Sequence, residues 1–141
     1  MAISFHSEEI SFDLKHKIRH KQWIRRTIEA HSKIPGDLTI IFTSSEQLKL
    51  MNRNYLNHNY FTDVITFDYT DGNISSGDIF ISIDQVKENS VSFDVELEEE
   101  LRRVIIHGVL HLLGFNDSST VEKNTMREKE NEALHLWFKL D

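Results

Sequence analysis

Apolar positions along the chain switch between a period near 3.6 and a period near 2, and the switches divide it into elements. Leu14, Ile18, Trp23, Ile24 and Ile28 recur at roughly helical spacing, so residues 13–31 are predicted to be a helix with Asp13 as its N-cap. Pro35-Gly36 signals a turn, and the β-branched and aromatic run Asp37 to Thr43 predicts a strand. Ser44 with Gln47 fits a capping box that opens an amphipathic helix carrying Leu48, Met51 and Tyr55 and ending near Leu56. Asn57-His58-Asn59 reads as loop. Alternation resumes from Thr62 to Tyr69, Asp71-Gly72 is a two-residue turn signal, and Ile74 to Ile83 supplies the partner strand of a hairpin, with Gly77 marking a bulge. Asp84 is expected to cap a short helix through Ser90, and Asp94 a long one. The early turns of that long helix hold Glu96, Glu98, Glu99 and Glu100, acids suited to the positive end of a helix dipole. Ser119 with Glu122 fits a second capping box, before a charged final helix carrying Val121, Met126, Leu134, Trp137 and Phe138. Strands cluster ahead of the long helix and no linker or repeat interrupts them. The expectation is an α+β fold, a single domain over residues 1–141 with helices packed on a small mixed sheet.

Composition narrows the chemistry. With 141 residues, 39% of them hydrophobic, the chain can bury a real core. It has no Cys, so disulfides and thiolate ligands are excluded, and any zinc must be held by His and carboxylate. No stretch approaches the roughly 18 consecutive apolar residues of a membrane span, and the N-terminus lacks a leader pattern, which points to a soluble, cytoplasmic protein. A net charge of −7 argues against indiscriminate nucleic-acid binding. One segment departs from that balance: Lys15, His16, Lys17, Arg19, His20, Lys21, Arg25 and Arg26 gather positive charge on the first helix. Such a face meets a polyanion or is simply the solvated side of a surface helix.

The long helix carries the candidate chemistry. At about 100° per residue, Leu97, Leu101, Val104, Ile105, Gly108 and Leu112 form one stripe, with His107 and His111 on its edge. Residues four apart share a face, so both imidazoles reach one point, and an edge position lines a cleft where a central one would pack in the core. Gly114 permits the left-handed conformation that ends a helix and reverses the chain, which carries Asp117 back toward the same groove. Three such ligands and a water make the donor set of a catalytic zinc. An acid just before Ser118-Ser119 also suits a helix start, so residue type alone leaves Asp117 equally a ligand or a cap. The metalloprotease pattern His-Glu-x-x-His places its general base beside the first histidine, where this chain has Gly108, so that mechanism would need a base from elsewhere, such as Glu100.

The run His107-Gly108-Val109-Leu110-His111-Leu112-Leu113-Gly114-Phe115-Asn116-Asp117 resembles the hallmark His-Gly-x-Leu-His-x-x-Gly-(Tyr/Phe)-x-His of the YbeY proteins, bacterial metal-dependent endoribonucleases of ribosome maturation. Tyr55 to Phe67 is similar to that family's Tyr-Arg-Gly-x-x-x-x-Thr-x-Val-Leu-Ser-Phe, and Ser76-Gly77-Asp78-Ile79 to its Leu-Gly-Asp-Ile. The resemblance implies a zinc ion on His107, His111 and Asp117, at the end of the long helix. It also implies single-strand-specific cleavage of RNA in ribosomal RNA processing, including maturation of the small-subunit 3′ end, and in ribosome quality control. The expected partners are ribosomal RNA and the ribosome or its assembly factors, with no membrane and no dinucleotide cofactor. No side chain stands out as general acid or base.

Two positions depart from the family pattern. Asp117 replaces the third histidine, and Leu56 stands where an arginine usually follows the tyrosine. An aspartate ligand lowers the charge of the centre with a divalent ion from about +2 to about +1, which weakens the Lewis acid and admits Mn2+ or Fe2+ beside Zn2+. A more alkaline activity optimum follows. Loss of the arginine removes a bidentate phosphate contact that His58, Arg53 or the basic first helix would have to replace. Two other readings remain: a metal-dependent hydrolase of peptide or small-molecule bonds, and a non-catalytic ribosome assembly factor with a structural metal.

Overall fold

The apolar faces close on one another around a four-stranded sheet. The computed structural model describes residues 2–55 and 62–140, so Leu56 and the Asn57-His58-Asn59 loop lie outside the described residues. In chain order the elements are β1 (Ile3–Ser7), α1 (Lys17–Ala30), β2 (Ile34–Thr43), α2 (Ser45–Tyr55), β3 (Val64–Asp68), β4 (Ile74–Ser82), α3 (Ile83–Ser92), α4 (Leu97–Leu112) and α5 (Thr120–Trp137). The sheet runs β1-β2-β4-β3, with β1, β2 and β4 parallel and β3 antiparallel to β4, which makes it mixed as expected. The hairpin is β3–β4, closed at Asp71 and Ile74.

Side chains alternate across the strands, and the two faces bury different partners. Leu38, Ile40 and Phe42 of β2 and Ile79 and Ile81 of β4 join α1, α4 and α5 in the main core. Ile65 packs with Leu48 and Met51 of α2 in a smaller cluster on which Phe67 and Phe80 also rest. Trp23, Ile24, Ile28, Ile105, Ile106 and Leu110 are removed from water completely, and each such side chain contributes on the order of 1.5–3 kcal/mol. The C-terminal half of α4 is therefore buried on most sides, since Ile106, Val109 and Leu110 are buried besides the expected stripe, and the charged residues gather in its N-terminal half.

Several helix starts differ from expectation. Asp13 does not cap α1: His16 occupies that position in the left-handed conformation (φ 60°) without a side-chain cap, and Asp13 pairs with Lys17 at 3.1 Å instead. Leu14 still reaches the core from the preceding coil, whereas Ile18 is exposed. Ser82, not Asp84, caps α3 by accepting from the Gln85 N–H, and Asp84 accepts from the Ser45 N–H at the start of α2 (3.0 Å). Glu96 replaces Asp94 at the start of α4, and Asp94 takes the left-handed conformation two residues earlier. Of the two expected capping boxes, Ser119 and Glu122 form both halves, while for α2 the bond from the Gln47 N–H to Ser44 Oγ (3.2 Å) is present.

Gly77 is not a bulge. The register shift lies in β2, between Pro35 and Leu38. A Cβ on Gly77 would stand 2.9 Å from Leu112 Cδ2 and press on the Phe67 carbonyl, so the missing side chain lets the end of α4 settle on the hairpin.

Candidate metal centre

The same close packing sets the rotation of α4. A Cβ on Gly108 would lie 2.7 Å from Ile79 Cγ2 of β4, so of the two uses a bare position offers, room for sheet or room for substrate, this one serves the sheet. With Gly108 pressed inward, His107 and His111 fall at the border of the buried face, their side chains 21% and 24% exposed. At the end of α4 the Gly114 N–H donates to the His111 carbonyl (3.0 Å) and the Phe115 N–H to the Leu110 carbonyl (3.1 Å). Gly114 has φ 100°, and together these are the bonds of a Schellman ending, which turns the chain back along the helix.

That reversal delivers Asp117. Its Oδ2 stands 3.2 Å from His107 Nε2 and 3.7 Å from His111 Nε2, and the two Nε2 atoms are 3.1 Å apart. The cap of α5 is Ser119, so Asp117 is left to face the imidazoles. Among the described residues these three form the one group of His, Asp or Glu whose donor atoms all lie within 4.8 Å of one another. Donors bound at about 2.0–2.1 Å in a tetrahedron are separated by about 3.3 Å, so the three distances fit a single small cation with little adjustment. Asp117 is 42% exposed, and the centre is open on its side.

A second layer orients the first. His107 Nδ1 donates to Glu130 Oε2 at 2.7 Å, and Glu130, buried on α5, also accepts from Arg103 Nη1 at 2.8 Å. With Nδ1 bonded to a carboxylate, Nε2 keeps the lone pair that a metal requires. Burial disfavours a charged His107 ring, but the hydrogen bond and charge of Glu130, with Asp117 and Asp63, outweigh it and raise its pKa. Burial raises the Glu130 carboxyl in turn, and its bonds to His107 and Arg103 reverse the sign and hold it low. His111 is lowered, by burial first and then by the neighbouring His107. The Glu130, Asp117 and Asp63 carboxylates thus favour positive charge at His107.

A second acidic pair lies close by. Asn89 Nδ2 donates to Asp63 Oδ2 (3.2 Å) and to Glu100 Oε2 (3.4 Å), and Gln85 Nε2 donates to Asn89 Oδ1 (3.1 Å). Glu100, the substitute base that a protease mechanism would need, is buried with its carboxylate turned to Asn89, and burial raises its pKa. Burial likewise raises Asp63, against the pull of His107.

Sequence reading brought His107, His111 and Asp117 together and missed Glu130, Arg103, Asp63 and Asn89. Glu130 had left a signal: it lies on the buried row Met126, Glu130, Ala133 and Trp137 of α5, and an acid on an apolar row needs a partner. Arg53 is exposed near the end of α2, and His58 lies outside the described residues.

Fold and site together define a small α+β protein with two histidines and one carboxylate, a group that could hold a cation, gathered at the last turn of a core helix. Comparison with known proteins narrows that class. The sequence profile of the family described as Endoribonuclease YbeY matches residues 2–137. Two proteins named Endoribonuclease YbeY are close relatives: one from Parabacteroides distasonis is 47% identical, over 96% of each chain, and one from Bacteroides fragilis is 46% identical, over 96% of this chain and 98% of its own. A solution structure of a protein from Thermotoga maritima superposes with a TM-score of 0.67 at 23% identity, over 98% of this chain and 90% of its own, and so shares the fold. The chain belongs to the YbeY family. Among its described residues no helix is long and apolar enough to cross a membrane.

Proposed function

We propose that the chain is a single hydrolase domain over residues 1–141, a metal-dependent endoribonuclease with His107, His111 and Asp117 as ligands to one divalent cation. The observation that carries this reading is the convergence of two Nε2 atoms and one carboxylate oxygen within 3.7 Å, with Glu130 behind His107. The reaction class and the RNA substrate come from the relatives' name. Zinc suits the donor set, and the aspartate also admits Mn2+ or Fe2+. When bound, the ion would polarise the scissile phosphate and lower the pKa of water. The chain's own residues then have three tasks. His107 and His111 orient the cation rather than move protons, Glu130 keeps His107 in the donating tautomer, and Asp117 sets the charge of the centre. Single-stranded ribosomal RNA, including the small-subunit 3′ end, is the proposed substrate, in the cytoplasm and in contact with the ribosome or its assembly factors.

The test compares the unaltered protein with His111→Ala, on single-stranded and structured RNA and on casein. We expect cleavage of single-stranded RNA alone, reduced at least about 100-fold in the variant, whose secondary structure is retained. Cleavage of casein, or RNA cleavage undiminished in the variant, contradicts the reading.

A further inference from the structure

Helix α1 carries charge that the metal centre does not use. Six of the chain's 16 Lys and Arg residues fall between Lys15 and Arg26, a stretch with no acid, while the chain as a whole is at −7. Lys17, Lys21 and Arg25 stand four apart on one line of the outer face, each about 6 Å of helix rise from the next. Lys17 pairs with Asp13, but Lys21, Arg25 and Arg26 are exposed and have no acidic partner among the described residues.

Apart from the Lys17–Asp13 and Lys15–Glu98 pairs, the local terms run against this arrangement as a stabilising device. The first turn of α1 has no acid and its N-cap makes no side-chain bond, so cations sit at the positive end of the dipole and repel one another along the row. Helices α4 and α5 have acids in their first turns. The positive charge also continues sideways. Arg19 and Arg102 each lie 4.7 Å from the centre of the Trp137 ring; Arg19 Nη2 donates to the Trp137 carbonyl (2.6 Å), and both arginines have a buried Nε with no hydrogen-bond partner among the described residues. Arg102 is five residues before His107 on α4, about 7.5 Å of helix rise and about 140° around the helix axis, so it faces a different side from the metal centre.

We infer that the outer face of α1, flanked by the Arg19–Trp137–Arg102 stack, binds the sugar-phosphate backbone of RNA outside the cleavage site. The inference rests on the proposed function for the identity of the polyanion. An array of solvated cations, with the one exposed acid of α1, Glu29, near its far end, matches a chain of phosphates, and it supplies affinity without sequence preference. It also gives an acidic protein a local means of holding an anionic substrate.

The experiment uses the full-length, metal-loaded protein and the triple variant Lys21→Gln/Arg25→Gln/Arg26→Gln. Binding of a single-stranded RNA of about 30 nucleotides is followed by fluorescence anisotropy across a salt series, beside cleavage of a short oligoribonucleotide and metal content. Three lost phosphate contacts should lower affinity at least about tenfold at low salt and reduce the slope of log K against log salt by about 2. Metal content and cleavage of the short substrate should not change. If the unaltered protein binds RNA but cleaves none, the function proposed above fails while this inference stands. Equal affinity and equal salt slope in the two proteins overturn it, as does a loss of affinity with no change in slope.

Discussion

Helices α1 and α4 pack on the same sheet, yet they use charge in opposite ways. At the end of α4 each polar atom has an assigned partner: His107 Nδ1 to Glu130, Glu130 to Arg103, and the two Nε2 atoms to each other and to Asp117. On α1 the charged groups are many, exposed and largely unpaired, and the helix is held by Trp23, Ile24 and Ile28 beneath them. A site for one ion depends on single atoms, so each of its neighbours matters individually. A face that meets a polymer depends on summed charge, so it tolerates the loss of any one member. Burial of its inner side holds α1, while Lys21, Arg25 and Arg26 on the outer side make no ion pair among the described residues.

That contrast can be broken in graded ways. The largest effect is expected at the foundation of the metal centre. Gly108→Ala places a Cβ 2.7 Å from Ile79 Cγ2, and the overpacking should cost about 1–3 kcal/mol in urea denaturation while displacing His107. A variant as stable as the parent would show that α4 has room to move. Next comes the second layer. Glu130→Gln keeps the volume but weakens the hold on His107 Nδ1, and metal affinity should fall about 10–100-fold in a competition titration with a chelator. Unchanged affinity would place the whole of ligand orientation in α4 itself. The smallest effect is on α1. Lys21→Gln relieves like-charge neighbours at Lys17 and Arg25, so stability should rise by about 0.2–0.5 kcal/mol per pair, the sign opposite to that at the metal centre. A fall in stability would mean that Lys21 has a structural role after all.

The two regions also differed in how legible they were. The histidine pair, the glycine stop and the returning acid occupy eleven consecutive residues, from His107 to Asp117, so local rules of helix period and chain reversal were enough to assemble them. Glu130 comes from another helix, and its place behind His107 depends on how α5 packs across α4, which spacing along one helix does not contain. The mixed α+β class and the β3–β4 hairpin were readable from alternation and the Asp71-Gly72 turn. The Ser119–Glu122 box was readable too, but the three aspartate caps were not, because Asp13, Asp84 and Asp94 each satisfied the residue preference while a neighbour or another element decided the geometry. Asp84 shows this most clearly: its carboxylate meets the backbone of a helix 39 positions away in sequence. Gly77 and Gly108 were both recognised as unusual, but the reason for each is a contact with a distant element.

The claim on which the rest depends is that Asp117 completes a three-ligand cation site. Element analysis of the purified full-length protein beside its Asp117→Ala variant tests it directly, with circular dichroism to show that the helices persist. The account predicts stoichiometric divalent metal in the unaltered chain and loss of most of it in the variant at equal helix content. A folded variant that keeps its full complement of metal would contradict it.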